Sequence, residues 1–135
     1  MLTILCLYGA VAVVFLGLDA IWLGLVAKGF YAASLGTLLA DRPNFAVAGL
    51  FYAVYVLGIV VFVALPAYEA GSWGRAAIRG ALFGCVAYAA YDLTNLATLR
   101  NWPVALTVVD LAWGAFVTAV SAAAGVAIVQ AVLGR

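Results

Sequence analysis

The sequence predicts an all-α integral membrane protein, a four-helix bundle with both termini on the same side of the bilayer and residues 1–135 forming a single transmembrane domain. Three observations carry that prediction. Of the 135 residues, 70% are hydrophobic and only 8% charged, whereas about a quarter of the residues of a soluble domain are charged. The charges punctuate the chain: Asp19 is the only one between Met1 and Ala27, and none falls between Arg42 and Glu69. A helix crosses a bilayer with roughly 20 apolar residues, so a chain of this length with short connections holds about four crossings.

The first helix is expected at about 2–27, an apolar run broken only by Asp19. A secretory leader is the rival reading, but the run is too long, no basic residue precedes it, and Asp19 interrupts it. Between Lys28 and Arg42 lies the longest connection, where Phe30, Tyr31, Leu35, Leu38 and Leu39 suit either a short interfacial helix or an ordered hydrophobic loop. The second helix is expected at about 44–65, with Pro43 in its first turn and Pro66 near its end, both places where proline is tolerated. After the turn-like Ala70-Gly71-Ser72, with Ser72 as a candidate cap, the third runs over about 74–99 and is the least apolar. The fourth is expected at about 102–132, capped by Asn101. Continuously apolar runs without alternation favour helices over the strands of a barrel.

Composition also excludes chemistry. The chain has no histidine, which removes His-ligated iron, haem and ordinary zinc sites and any histidine general base. Cys6 and Cys85 sit in apolar runs and read as small hydrophobes. Six scattered Lys and Arg residues and a net charge of +1 lack the clustered basic face that nucleic acid requires. The lone Lys28 falls at a helix end, which sets aside a retinal-type photoreceptor. Orientation by basic residues is a tie: Arg75, Arg79 and Arg135 share the side of the termini, and Lys28, Arg42 and Arg100 take the other. The terminal amine and the two arginines opening the third helix tip the expectation toward cytoplasmic termini.

An ionisable group within a span costs roughly 2.5 to 3.5 kcal/mol on insertion scales, so Asp19, Asp92 and Asp110 each need a reason to be there. At about 1.5 Å per residue, Asp19 lies roughly 12 Å from the end of its helix, Asp92 about 10 Å from the end of the third and Asp110 about 10 Å from the start of the fourth. Because successive spans reverse direction, all three acids occupy one layer, on the side of the first and third connections. Thr94, Asn95, Thr98, Thr107, Tyr52 and Tyr55 share that layer and are the hydrogen-bonding partners that buried acids require. Three acids without a basic partner at their depth do not all stay ionised unless a cation is bound. Arg100 is the nearest candidate counter-charge.

Gly80, Gly84, Tyr88, Asp92 and Asn95 follow three- and four-residue spacing, a stripe that should face the bundle interior, with Gly80-x-x-x-Gly84 admitting a close neighbour. The first and fourth helices repeat one arrangement: Asp19 with Trp22, and Asp110 with Trp113. An acid and an indole three residues apart share a helical face, so the two helices form pocket walls that each offer a carboxylate and an aromatic plate. The candidate ligand- or proton-binding residues are therefore Asp19, Asp92, Asp110, Trp22, Trp113, Tyr52, Tyr55, Tyr91 and Asn95. In the structural alternative, indole and hydroxyl groups simply satisfy acids in a polar core. Trp102, Tyr31 and Trp73 fit interfacial aromatic belts.

The segments Leu18-Asp19-Ala20-Ile21-Trp22-Leu23-Gly24, Tyr91-Asp92-Leu93-Thr94-Asn95-Leu96-Ala97-Thr98-Leu99-Arg100 with Trp102-Pro103, and Val109-Asp110-Leu111-Ala112-Trp113-Gly114 carry a resemblance. They resemble a family of small bacterial predicted membrane proteins catalogued only as a domain of unknown function. The resemblance covers nearly the whole chain and implies a four-helix protein of the bacterial inner (cytoplasmic) membrane. It brings no activity with it.

Three function classes follow. The first is a small transporter or binding protein whose acids take a proton, a metal ion or an organic cation. The second is a membrane enzyme acting on a lipid, with the acids holding Mg²⁺ or exchanging protons. The chain has no Asp-x-x-Asp-Gly or Asp-x-x-x-Asp signature and no nucleophile beside a base, so the expectation leans against an enzyme and calls for no cofactor. The third is an accessory subunit of a larger membrane complex, for which the small-residue surface over 115–127 suits close contact. The expected partners are the lipid bilayer and a second copy or a larger complex.

Overall fold

The computed structural model describes residues 1–26, 28–39 and 44–134, and every regular element among them is helical. Helix α1 (Leu2–Ile21) continues through a π turn at Trp22–Val26. Helix α2 (Lys28–Leu35) follows and closes in a 3-10 turn at Gly36–Leu38, so the first connection contains a helix as well as a loop. Helix α3 (Phe45–Ile59) passes through a second π turn, Val60–Ala64, into α4 (Leu65–Glu69), and the three form one rod. Helices α5 (Trp73–Thr98) and α6 (Val104–Leu133) complete the chain.

Local chemistry accounts for most of the boundaries. Asn44 caps α3 by accepting from the Val47 N–H at 3.2 Å, and Ser72 caps α5 by accepting from the Arg75 N–H at 3.1 Å. The second rod runs on past the end expected near residue 65, with Pro66 inside it. A proline there has no N–H to return to the preceding turn, and the π turn immediately before it accommodates that missing bond. Asn101 does not cap α6 as expected. It occupies the left-handed region at φ 61°, and Pro103 takes the cap position without a side-chain bond. Proline disfavours helical backbone at the residue before it, so Trp102 cannot open the helix and α6 starts at Val104. The expected end of the first helix at Ala27, the placement of Pro43 in the first turn of the second, and the sides assigned to Arg42 and Arg135 lie outside the described residues.

Among the described residues, three rods are long and apolar enough to cross a membrane: Leu2–Leu25, Phe45–Glu69 and Val104–Leu133, of 24, 25 and 30 residues. Helix α5 has 26 residues but carries Arg75, Arg79 and Asp92, and it falls short of the same apolarity.

Helix α6 is the hub, with α5 along one flank and α1 along another. Four glycines set how closely these helices approach. A methyl group added at Gly80 would stand 2.9 Å from the Thr118 carbonyl oxygen, and one at Gly84 would strike the Gly114 carbonyl. One at Gly114 would strike the Tyr88 ring, and one at Gly125 would run into Val11 of α1. The glycine stripe predicted for α5 therefore does face a neighbouring backbone. Leu7, Val11 and Phe15 of α1 fill the core with Val56, Ile59, Val60 and Val63 of the second rod and Val117, Val126 and Val129 of α6.

Candidate functional site

The polar layer is assembled where α1, α3, α5 and α6 meet, and each element contributes for a local reason. Asp19 lies two residues before the end of α1 and is buried. It accepts from the Tyr52 hydroxyl of α3 and from the Trp113 indole N–H of α6 at 3.3 Å. The Trp113 ring stacks on that of Trp22, with centroids 4.4 Å apart and planes 9° from parallel. Trp22 opens the π turn of the first rod, and its indole N–H donates to the Tyr31 hydroxyl at 3.3 Å. Tyr31, on α2, in turn donates to the carboxylate of Asp110. Burial, and then the bond to that carboxylate, push the Tyr31 phenol above its ordinary value and keep its proton in place. One connected path thus joins Asp19 to Asp110 through an indole stack and a phenol.

Asp92 completes the path by register. Helices α5 and α6 run antiparallel, and their closest contacts place Gly84 beside Thr118 and Tyr88 beside Gly114. One helical turn further along each helix, the same register sets Asp92 of α5 opposite Asp110 of α6. Asp92 is fully buried, and among the described residues neither of its oxygens has a donor. Arg100, the expected counter-charge, is exposed and gives it no bond.

Beside this pair lies a cavity of about 370 Å³ lined by Phe51, Tyr55, Ala87, Tyr88, Tyr91 and Asp110. Tyr55 is held by a 2.8 Å bond with Thr118, and its ring packs against Phe51 at 5.5 Å and Tyr88 at 6.2 Å. Tyr91 is exposed on its outer side and sets its ring edge-on to Trp102 at 5.8 Å. Asn95, one turn from Tyr91, is half-buried. Among the described residues, no three His, Cys, Asp or Glu side chains are grouped to hold a metal ion. The acids form a pair, Asp92 with Asp110, and a single member, Asp19, whose oxygens both receive donors.

Several expected partners go elsewhere. Thr94 and Thr98 bond to carbonyls of their own helix, at Ala90 and Thr94, and Thr107 accepts from the Trp102 indole at 3.1 Å and donates to the Pro103 carbonyl. Trp102 is therefore a buried hydrogen-bonding residue and not part of an exposed belt. Tyr31, also assigned to a belt, turns inward because α2 folds back over the layer. Tyr88 and Phe51 line the cavity although neither was among the candidate binding residues. Tyr88 was readable, being one turn from Asp92 on the glycine stripe, and Phe51 is one turn from Tyr55. Nothing in the order of residues marks Tyr31.

A family model described as "Predicted membrane protein (DUF2177)" matches residues 4–127. No curated protein and no solved structure matches the chain.

Proposed function

The chain belongs to the DUF2177 family of predicted membrane proteins, and from that premise we propose that it is a multi-pass membrane protein that binds a monovalent organic cation against Asp110. The cavity supports this reading: four aromatic side chains, Phe51, Tyr55, Tyr88 and Tyr91, share its wall with one carboxylate. Aromatic faces attract an ammonium group, most strongly where water is excluded, and a volume of about 370 Å³ falls within the range of small-molecule sites, roughly 300–1,000 Å³. A desolvated carboxylate beside such rings favours a large, weakly hydrated cation over a metal ion, which would need several oxygen ligands.

The same proposal takes α5 as the fourth span, with both termini on one side of a bacterial inner membrane. Its support is the outward face of α5, where Ile78, Leu82 and Val86 are each more than 60% exposed and follow four-residue spacing suited to lipid.

The test is titration of purified protein in detergent with tetraalkylammonium ions of increasing size, read by tryptophan fluorescence. Binding that weakens at least tenfold in Asp110→Asn and several-fold in Tyr88→Leu is the expected result. Absence of saturable binding across the series would sink the proposal. A structural reading has its own support in the saturation of Asp19 by two donors, which makes that acid a cross-brace between α1, α3 and α6. In an accessory subunit, Asp110→Asn would change stability and leave nothing else to measure.

A further inference from the structure

We infer that Asp92 is a proton site: it carries the one proton of the Asp92–Asp110 pair and donates it to Asp110, so the two acids present a single negative charge to the aromatic cavity.

The first ground is the state of Asp92 itself. It is 0% exposed and, among the described residues, nothing donates to either of its oxygens, an arrangement that an ionised carboxylate in a protein interior does not sustain. A protonated carboxyl group is different in kind, because it donates one bond and accepts weakly. The second ground is what surrounds it. Asp110 faces it from α6, and Tyr31 of α2 is engaged with Asp110. Tyr88 and Tyr91 flank it on α5 itself, and Arg100 is exposed. The acceptor within reach is a carboxylate, and two carboxyl groups can bond only if one of them holds a proton. The third ground is division of labour. Asp110 lines the cavity and receives the Tyr31 hydroxyl, as suits the charged member, while Asp92 stands behind it.

A consequence for binding follows, and it rests on the cation reading above. The pair has one negative charge to neutralise. A monovalent cation does so by pairing with the Asp110 carboxylate, and a second proton, drawn from water, does so by forming an O–H bond on Asp110. Both together would leave a buried positive charge without a partner. Proton and cation should therefore exclude one another, one for one, with no electrons transferred.

Infrared spectroscopy of the full-length protein in liposomes at neutral pH, with no added cation, tests the proton directly. The expected result is a protonated-carboxyl C=O band that disappears in Asp92→Asn and persists in Asp19→Asn. In Asp110→Asn the band should shift and not vanish, because Asp92 keeps its proton but loses its carboxylate acceptor. This second variant decides the matter if Asp92→Asn fails to fold. No such band in the wild type, or a band untouched by Asp92→Asn, would overturn the inference. The exclusion is tested by tetraalkylammonium titrations at falling pH, where affinity should drop about tenfold per pH unit once the second proton competes. PH-independent affinity overturns the exclusion. Failure of every variant to bind removes the cation reading and leaves the infrared band to judge the proton.

Discussion

Asp19 and Asp110 belong to the same Asp-x-x-Trp arrangement yet meet different fates, and the difference lies in what reaches them. Asp19 takes a phenol and an indole from two other spans. Asp110 takes a phenol from the first connection and faces a second acid. Tyr31 is thus a donor that α2 supplies to the layer. Tyr31→Phe should lower stability by about 1.5–3 kcal/mol, the range for a hydrogen bond to a charged group, as read by thermal unfolding in detergent. Tyr8→Phe, whose hydroxyl donates to a backbone carbonyl at an exposed position, should cost about 0.5–1.5 kcal/mol. Equal losses would show that the Tyr31 bond carries no special weight. The acids and indoles were legible in the sequence because an ionisable group stands out in an apolar run. Tyr31 was not, since an amphipathic side chain beside a span suits a lipid interface as well as a polar interior.

At the scale of elements, small residues and breaks in the helical ladder determine how the rods meet. The π turn at Trp22–Val26 falls where Trp22 must reach across to Trp113 and Tyr31, and the one at Val60–Ala64 precedes Pro66. The α5–α6 contact depends on Gly80 and Gly84, where the atom nearest an added methyl group would be a backbone carbonyl oxygen of α6. Gly84→Ala should therefore force the two helices apart and cost about 1–3 kcal/mol, as overpacking does. Gly49, where an added methyl meets nothing within 4 Å, is the control: Gly49→Ala should be neutral or gain up to about 1 kcal/mol from helix propensity. Loss of the Ser72 cap in Ser72→Ala should cost about 1 kcal/mol. Thermal unfolding measured in one detergent checks all three. The Ser72 cap and the glycine stripe were readable because both act over a single turn. The start of α6 was misplaced because Pro103 governs the residue before it more strongly than Asn101 recruits a helix.

For the whole molecule, the arrangement turns on α5. Its polar stripe is spent on α6, and its apolar stripe at Ile78, Leu82 and Val86 faces outward. In the four-span arrangement proposed above, α5 crosses the bilayer as a member of a bundle even though its own composition is marginal. Single cysteines near both chain ends and at residue 72 should label from one side of sealed vesicles, and cysteines at residues 36 and 101 from the other. Labelling of the two ends from opposite sides would show an odd number of spans and remove the four-span arrangement. Cys6 and Cys85, half-buried, are replaced by alanine beforehand.

The sequence by itself determined that this chain is helical and membrane-embedded, and where its long helices lie to within a few residues. Each of these follows from composition, length and a fixed rise per residue, quantities that need no knowledge of neighbours. Tertiary structure alone decided which donor satisfies which acid, that α2 folds inward to give Tyr31 to Asp110, and that Asp92 pairs with Asp110 while Asp19 stands apart. Those outcomes depend on the rotation and register of packed helices. Register is set by glycine contacts between residues that the chain holds far apart, as Gly84 and Gly114 are, and no local pattern fixes it.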